Sequence, residues 1–172
     1  MFSGRVLIPL SFLLLTGCPY QSSVPLSAPD LAKINSELIG KWSAEDKEGK
    51  EVGTVTISQF NERELLIIID GGKDEAEAMR GFVTSVGSEK FLNVQEVTGA
   101  YEGREWMFVN YTVKDCSLIY RVVSDSLLKD KTRGVSSQKK LYDFIKKNVE
   151  NKELYDEEVK LSRVKKSNAT GK

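Results

Sequence analysis

Histidine does not occur in this chain. Its absence removes Ser-His-Asp and Cys-His nucleophile activation and every imidazole metal site. Hydroxyls, carboxylates, lysines and two cysteines remain to carry any chemistry. Ser136-Ser137-Gln138-Lys139 has a Ser-x-x-Lys nucleophile spacing, but without its companion motifs it reads as a helix cap followed by solvated lysines. Gly71-Gly72-Lys73 lacks the spacing of a phosphate loop and reads as a hairpin turn. Glu45-Asp46, Asp74-Glu75-Glu77 and Asp156-Glu157-Glu158 fall in or beside turns. Clustered acids can hold calcium or flank a glycosidic bond; without a properly spaced Asp/Asn/Gly loop, these read as solvated turn charges. The chain is therefore expected to be non-enzymatic, with no catalytic residue, metal ligand or cofactor.

Cys18 is the chemically distinctive residue. It closes Leu15-Thr16-Gly17-Cys18, after an apolar run over residues 6–15 that itself follows Arg5. A basic start, about ten apolar residues and small residues before a cut site make a secretory signal. The run is too short for a membrane span, which takes about 20 residues. The tetrapeptide resembles the lipobox of bacterial lipoproteins. That resemblance implies cleavage between Gly17 and Cys18, a diacylglycerol on the Cys18 sulfur and a lipid-anchored protein of the cell envelope. Pro19 in place of an Asp implies the periplasmic face of the outer membrane. A thioether at Cys18 leaves Cys116 without an internal disulfide partner. Cys116 lies in Lys114-Asp115-Cys116-Ser117, as a turn residue or as a reactive or intermolecular thiol.

Removal of residues 1–17 takes away one Arg and no acid, leaving 155 residues with 24 bases against 25 acids. A net charge of −1 offers no general attraction to nucleic acid. The length suits one domain with a hydrophobic core. The chain divides into a signal peptide (1–17), a lipidated Cys with a Pro/Ser linker (18–34), a domain (35–166) and a disordered tail (167–172). All four prolines precede residue 30, so residues 19–29 read as an extended spacer holding the domain off the membrane. The absence of proline afterwards suits a continuous hydrogen-bonded sheet.

A short helix is expected over 30–38. From residue 40 the periodicity turns towards two, with strands near 40–46, 52–60, 63–70, 77–86, 90–97, 104–114 and 117–124, separated by short turns. Leu65-Leu66-Ile67-Ile68-Ile69 has no polar face, which implies burial on both sides. A covering helix is at hand: Ser136 or Ser137 can cap a helix to about residue 148, and Leu141, Phe144, Ile145 and Val149 form one apolar stripe. A closing strand follows over 159–164. The expected fold is mainly β, an antiparallel up-and-down barrel of about eight strands with a C-terminal helix packed outside before the last strand.

This order resembles the lipocalin-like, or calycin, barrel. Gly40-Lys41-Trp42 is similar to the Gly-x-Trp that opens the first lipocalin strand, and Arg163 lies on the last strand, where that family places an Arg across the Trp ring. The resemblance implies that Trp42 and Arg163 plug one barrel end through a cation–π contact. Asn93 and Gln95 share one face of their strand, and Trp106, Phe108 and Asn110 share one face of the next. If these faces point inward, the five line a pocket for an amphipathic ligand; if outward, Leu92 and Val94 fill the barrel instead. Two functions are consistent with this reading. One is a membrane-anchored module that binds or carries a small hydrophobic or amphipathic ligand. The other is an envelope scaffold with a filled barrel that binds a protein partner.

Overall fold

The computed structural model describes residues 18–46, 48–72, 76–97, 104–128 and 137–165. Residues 1–17, where a signal peptide is expected, Ser136 and the expected tail 167–172 lie outside the described residues. The order is β1 (Gly40–Glu45), β2 (Glu51–Gln59), β3 (Leu65–Asp70), β4 (Glu77–Val86), β5 (Glu89–Glu96), β6 (Met107–Lys114), β7 (Ser117–Val122), α1 (Gln138–Asn148) and β8 (Val159–Arg163). Each strand pairs antiparallel with its neighbour in sequence, and β1 pairs with β8, so the eight strands form a closed barrel. Closure removes both sheet edges. The expected architecture is the observed one, helix position included.

Period-two patterning explains the inner layer. Trp42 and Ala44 of β1, Val55 and Ile57 of β2, Leu65, Ile67 and Ile69 of β3, and Leu92 and Val94 of β5 are all buried in one cluster inside the wall. Alternate residues point outward, where Thr56 of β2 is exposed. On β4, β5 and β6 several outward positions carry large apolar side chains among polar ones. Phe82, Val86, Phe91 and Phe108 there are 0% exposed, so a second layer must cover them.

Two segments do so. One is α1, whose Leu141 and Ile145 are fully buried against that wall, with Phe144 and Val149 half-buried beside them. The helix therefore covers the β4–β6 side and not β3, where Leu66 and Ile68 keep only partial cover. The aromatic outer face draws the helix because it removes more apolar area from water. Ser137 stands at the helix N-cap, but its hydroxyl makes no capping bond.

The other segment is the stretch expected to be a free spacer. Residues 19–32 form a strap against the outer wall: Pro19 bridges Ser124, Ser22 bridges Trp106, and Tyr20, Leu26 and Ala32 are buried. Prolines give the strap an extended path, but its apolar side chains find an aromatic wall to bury against. The helix expected over 30–38 is replaced by two 3-10 turns, Pro29–Leu31 and Ser36–Leu38. Ala32 belongs to the outer layer and Leu38 to the inner one. The chain must cross between them, which an extended link does and a continuous helix would not. The Asn35 side chain caps the second turn by accepting from the Glu37 amide at 3.2 Å.

Candidate functional site

The barrel is closed at one end by a built plug. Trp42 on β1 faces Arg163 on β8 across the closing seam. The Arg163 guanidinium lies 4.1 Å from the centre of the indole, within the range of a cation–π contact. Its Nη1 donates to the Ile39 carbonyl at 2.9 Å, and its Nη2 donates to the Glu37 carbonyl. The indole Nε1 donates to the Leu38 carbonyl at 2.9 Å. Three carbonyls in and after the Ser36–Leu38 turn are thus held by the two plug residues, and Leu38 is pressed into the lumen floor, 1% exposed.

Above Leu38 the lumen is not filled. A cavity of about 280 Å³ runs between walls formed by Ile57, Ile67, Met79, Val94 and Leu118, among others. At the opposite end it is lined by Pro19 and Gln21 of the strap and by Glu77 and Glu96, the first residue of β4 and the last of β5. Glu77 and Glu96 are exposed, so the cavity meets solvent there.

Two phenols supply polarity on the wall. The Tyr111 hydroxyl accepts from Asn35 Nδ2 at 3.1 Å. Burial pushes its pKa up, the Asn35 bond opposes this, and nearby Glu37 adds to the rise. Burial pushes Tyr120 up to about 12. Both side chains stay neutral at ordinary pH, so they contribute no charge to the wall. An apolar tube with two neutral hydroxyls on its wall and two carboxylates at its mouth can accommodate a hydrocarbon chain.

Asn93, Gln95, Trp106, Phe108 and Asn110 do not line this cavity. All five lie on the outer wall, beneath the strap or beside the elements that follow β7. Asn93 is 0% exposed and fully engaged: its Oδ1 accepts from the Leu26 amide at 2.8 Å, and its Nδ2 donates to the Phe82 carbonyl at 3.2 Å and to Thr84 Oγ1 at 2.8 Å. Gln95 Oε1 accepts from Arg80 at 2.9 and 3.1 Å. Trp106 lies edge-on to Phe82, with ring centres 5.4 Å apart, and under the Arg80 guanidinium at 5.3 Å. Phe108 packs with Tyr20 of the strap, ring centres 6.1 Å apart. Asn110 accepts from Arg121 at 2.8 Å, and that guanidinium also stacks 4.2 Å over Tyr155. These groups pin the outer layer to the wall.

The cavity residues are the alternate ones on the same strands, Leu92 and Val94 on β5 and Met107, Val109 and Tyr111 on β6. Parity alone presented the two faces as a pair. The aromatic weight of Phe91, Trp106 and Phe108 was the signal that the polar-containing face would itself be covered. Cys116 is exposed at the tip of the β6–β7 hairpin, far along the chain from the cavity end that carries Pro19. Comparison with protein-family models, with curated proteins and with solved structures gave no match.

Proposed function

We propose that this chain is a lipid-anchored bacterial lipoprotein whose lipocalin-like barrel binds or carries a small hydrophobic or amphipathic molecule at the cell envelope, on the periplasmic face of the outer membrane. The apolar cavity inside the closed barrel carries this reading. Its volume lies just under the roughly 300–1,000 Å³ of small-molecule pockets. A lumen packed with side chains would have favoured a scaffold. The Gly40-Lys41-Trp42 opening and the Arg163 guanidinium over Trp42 support the lipocalin likeness. The Leu15-Thr16-Gly17-Cys18 tetrapeptide supports the anchor.

The anchor is tested by Cys18→Ala in the full chain expressed in a lipoprotein-processing bacterium. The variant is expected to lose membrane partitioning while keeping its circular dichroism spectrum; a variant still wholly in the membrane fraction overturns the anchor. Native mass spectrometry of the gently purified protein tests the cavity. A retained lipid-like mass is expected, and a Val94→Trp variant should lose it. Protein that carries no added mass and takes up no hydrophobic dye in its lumen overturns the binding role.

A further inference from the structure

We infer that the occupant of the cavity is a single acyl chain, drawn in at the end of the barrel that carries residue 18, so that the mouth faces the bilayer directly. The inference rests on the proposed lipidation of Cys18 and names the ligand class and route for that same cavity.

The strap supplies the geometry. A tethered domain on a flexible spacer would sample many orientations and could hold its mouth away from the membrane. Here the chain is bound to the wall from the first residue after the cut. The Cys18 carbonyl accepts from the Asp125 amide at 3.0 Å, and the Tyr20 amide donates to the Val123 carbonyl at 2.8 Å. Ser22 and Trp106 exchange two backbone bonds, at 3.0 and 2.7 Å. Pro19 and Gln21 both line the cavity. The attachment point of the lipid is therefore one residue from the cavity mouth, with no slack between them.

The lumen supplies the chemistry. Its side walls are aliphatic, its two phenols are neutral, and its far end is shut by Leu38 over the Trp42–Arg163 plug. A chain of methylenes fits such a wall, whereas a charged or multiply hydroxylated ligand would lose hydration without recovering hydrogen bonds. The volume of about 280 Å³ suits one chain better than a whole two-chain lipid. Glu77 and Glu96 at the mouth leave a polar head in water. The chain has two possible sources, a bilayer lipid or the diacylglycerol of Cys18 itself, and the second gains from the high effective concentration of a short tether.

The test uses the full chain in a lipoprotein-processing bacterium fed a fatty acid that bears a diazirine near its methyl end. After irradiation in intact cells, the purified protein is digested and its peptides are weighed. Crosslinks are expected on lumen peptides that contain Ile67, Met79 or Val94. A crosslink joining such a peptide to the Cys18 peptide identifies the protein's own chain; an adduct with the mass of a fatty acid or phospholipid identifies a bilayer source. Val94→Trp should abolish the lumen adducts while the lipid mass on Cys18 persists, with Met79→Phe as a second blocking variant should the first misfold. A lipidated Cys18 with adducts confined to the surface overturns this inference and spares the anchor. A Cys18 peptide with no lipid mass overturns the anchor, and this inference with it.

Discussion

Trp42 and Arg163 can meet because Gly40 has no side chain. A Cβ on Gly40 would stand 2.5 Å from Arg163 Nη1, and the backbone there has φ +149°, a conformation that other residues rarely adopt. The Gly-x-Trp spacing thus has a local physical cause: the glycine leaves the space that the guanidinium enters before it covers the indole. Gly40→Ala is expected to push Arg163 off the ring and to cost about 1–3 kcal/mol, as overpacking in a tight site does. Trp42→Ala is expected to cost about 3–5 kcal/mol, as for other buried aromatics. Urea unfolding checks both, and a Trp42→Ala midpoint within error of the parent would remove the plug role.

Cys116 shows the opposite balance. It and Asp115 occupy the tip of the β6–β7 hairpin with φ values of +61° and +49°, and neither is glycine. A two-residue hairpin requires this left-handed pair, and non-glycine residues adopt it with strain. Cys116→Gly should raise stability by up to about 1 kcal/mol, since the left-handed conformation costs other residues roughly 1–2 kcal/mol and glycine gives some of that back in unfolded-state entropy. An unchanged or lowered urea midpoint would show that the turn carries no such strain.

At the scale of elements, the strap is held by a few specific bonds laid over a broad apolar contact. Asn93 is the central one. All three of its bonds are buried, and one of them receives the Leu26 amide 67 residues away in sequence. Replacing Asn93 with Ala leaves the Leu26 amide without its acceptor inside the outer layer. A buried orphan of this kind costs about 1–3 kcal/mol. The expected result is faster hydrogen exchange at residues 22–28 with the β1–β3 amides still protected. Equal exchange across the strap in parent and variant would show that apolar packing alone holds it. The same variant should leave lumen binding of a hydrophobic dye intact, because Asn93 faces away from the cavity.

For the whole molecule, burial of tyrosines sets a limit at alkaline pH. Burial pushes Tyr120 up to about 12; it does the same for Tyr155, against a partial opposing pull from Arg121. In the unfolded chain both ionise near 10. Between about 10 and 12 the unfolded state loses protons that the folded state keeps, so stability is full below the lower value and falls as pH rises through the window. Urea midpoints measured from pH 9 upward should decline steeply. Tyr120→Phe should flatten the decline, and an unaltered slope would show that Tyr120 does not contribute.

Much of this architecture can be read from residue order. Alternation from Gly40 onward, short turns and an amphipathic run before the last strand lead to an eight-stranded barrel with an outside helix, because each is a local pattern with one economical way to bury itself. The plug is legible only through the resemblance of Gly40-Lys41-Trp42 and Arg163 to the lipocalin pattern, and the pairing of β1 with β8 brings the two residues together at the seam. Which face of β5 and β6 looks inward is a different kind of question. Both faces carry apolar residues, so period two offers two equivalent answers, and only the closed barrel chooses Leu92 and Val94 for the lumen and Asn93 for the outer layer. The strap was equally hidden. Its prolines and serines have the composition of a spacer, and its docking depends on Phe82, Phe91 and Phe108, which lie far away in sequence and form one surface only after the strands have paired. Local pattern determined the elements and their order; contacts between distant segments decided what each face touches, and with it where the cavity lies relative to Cys18.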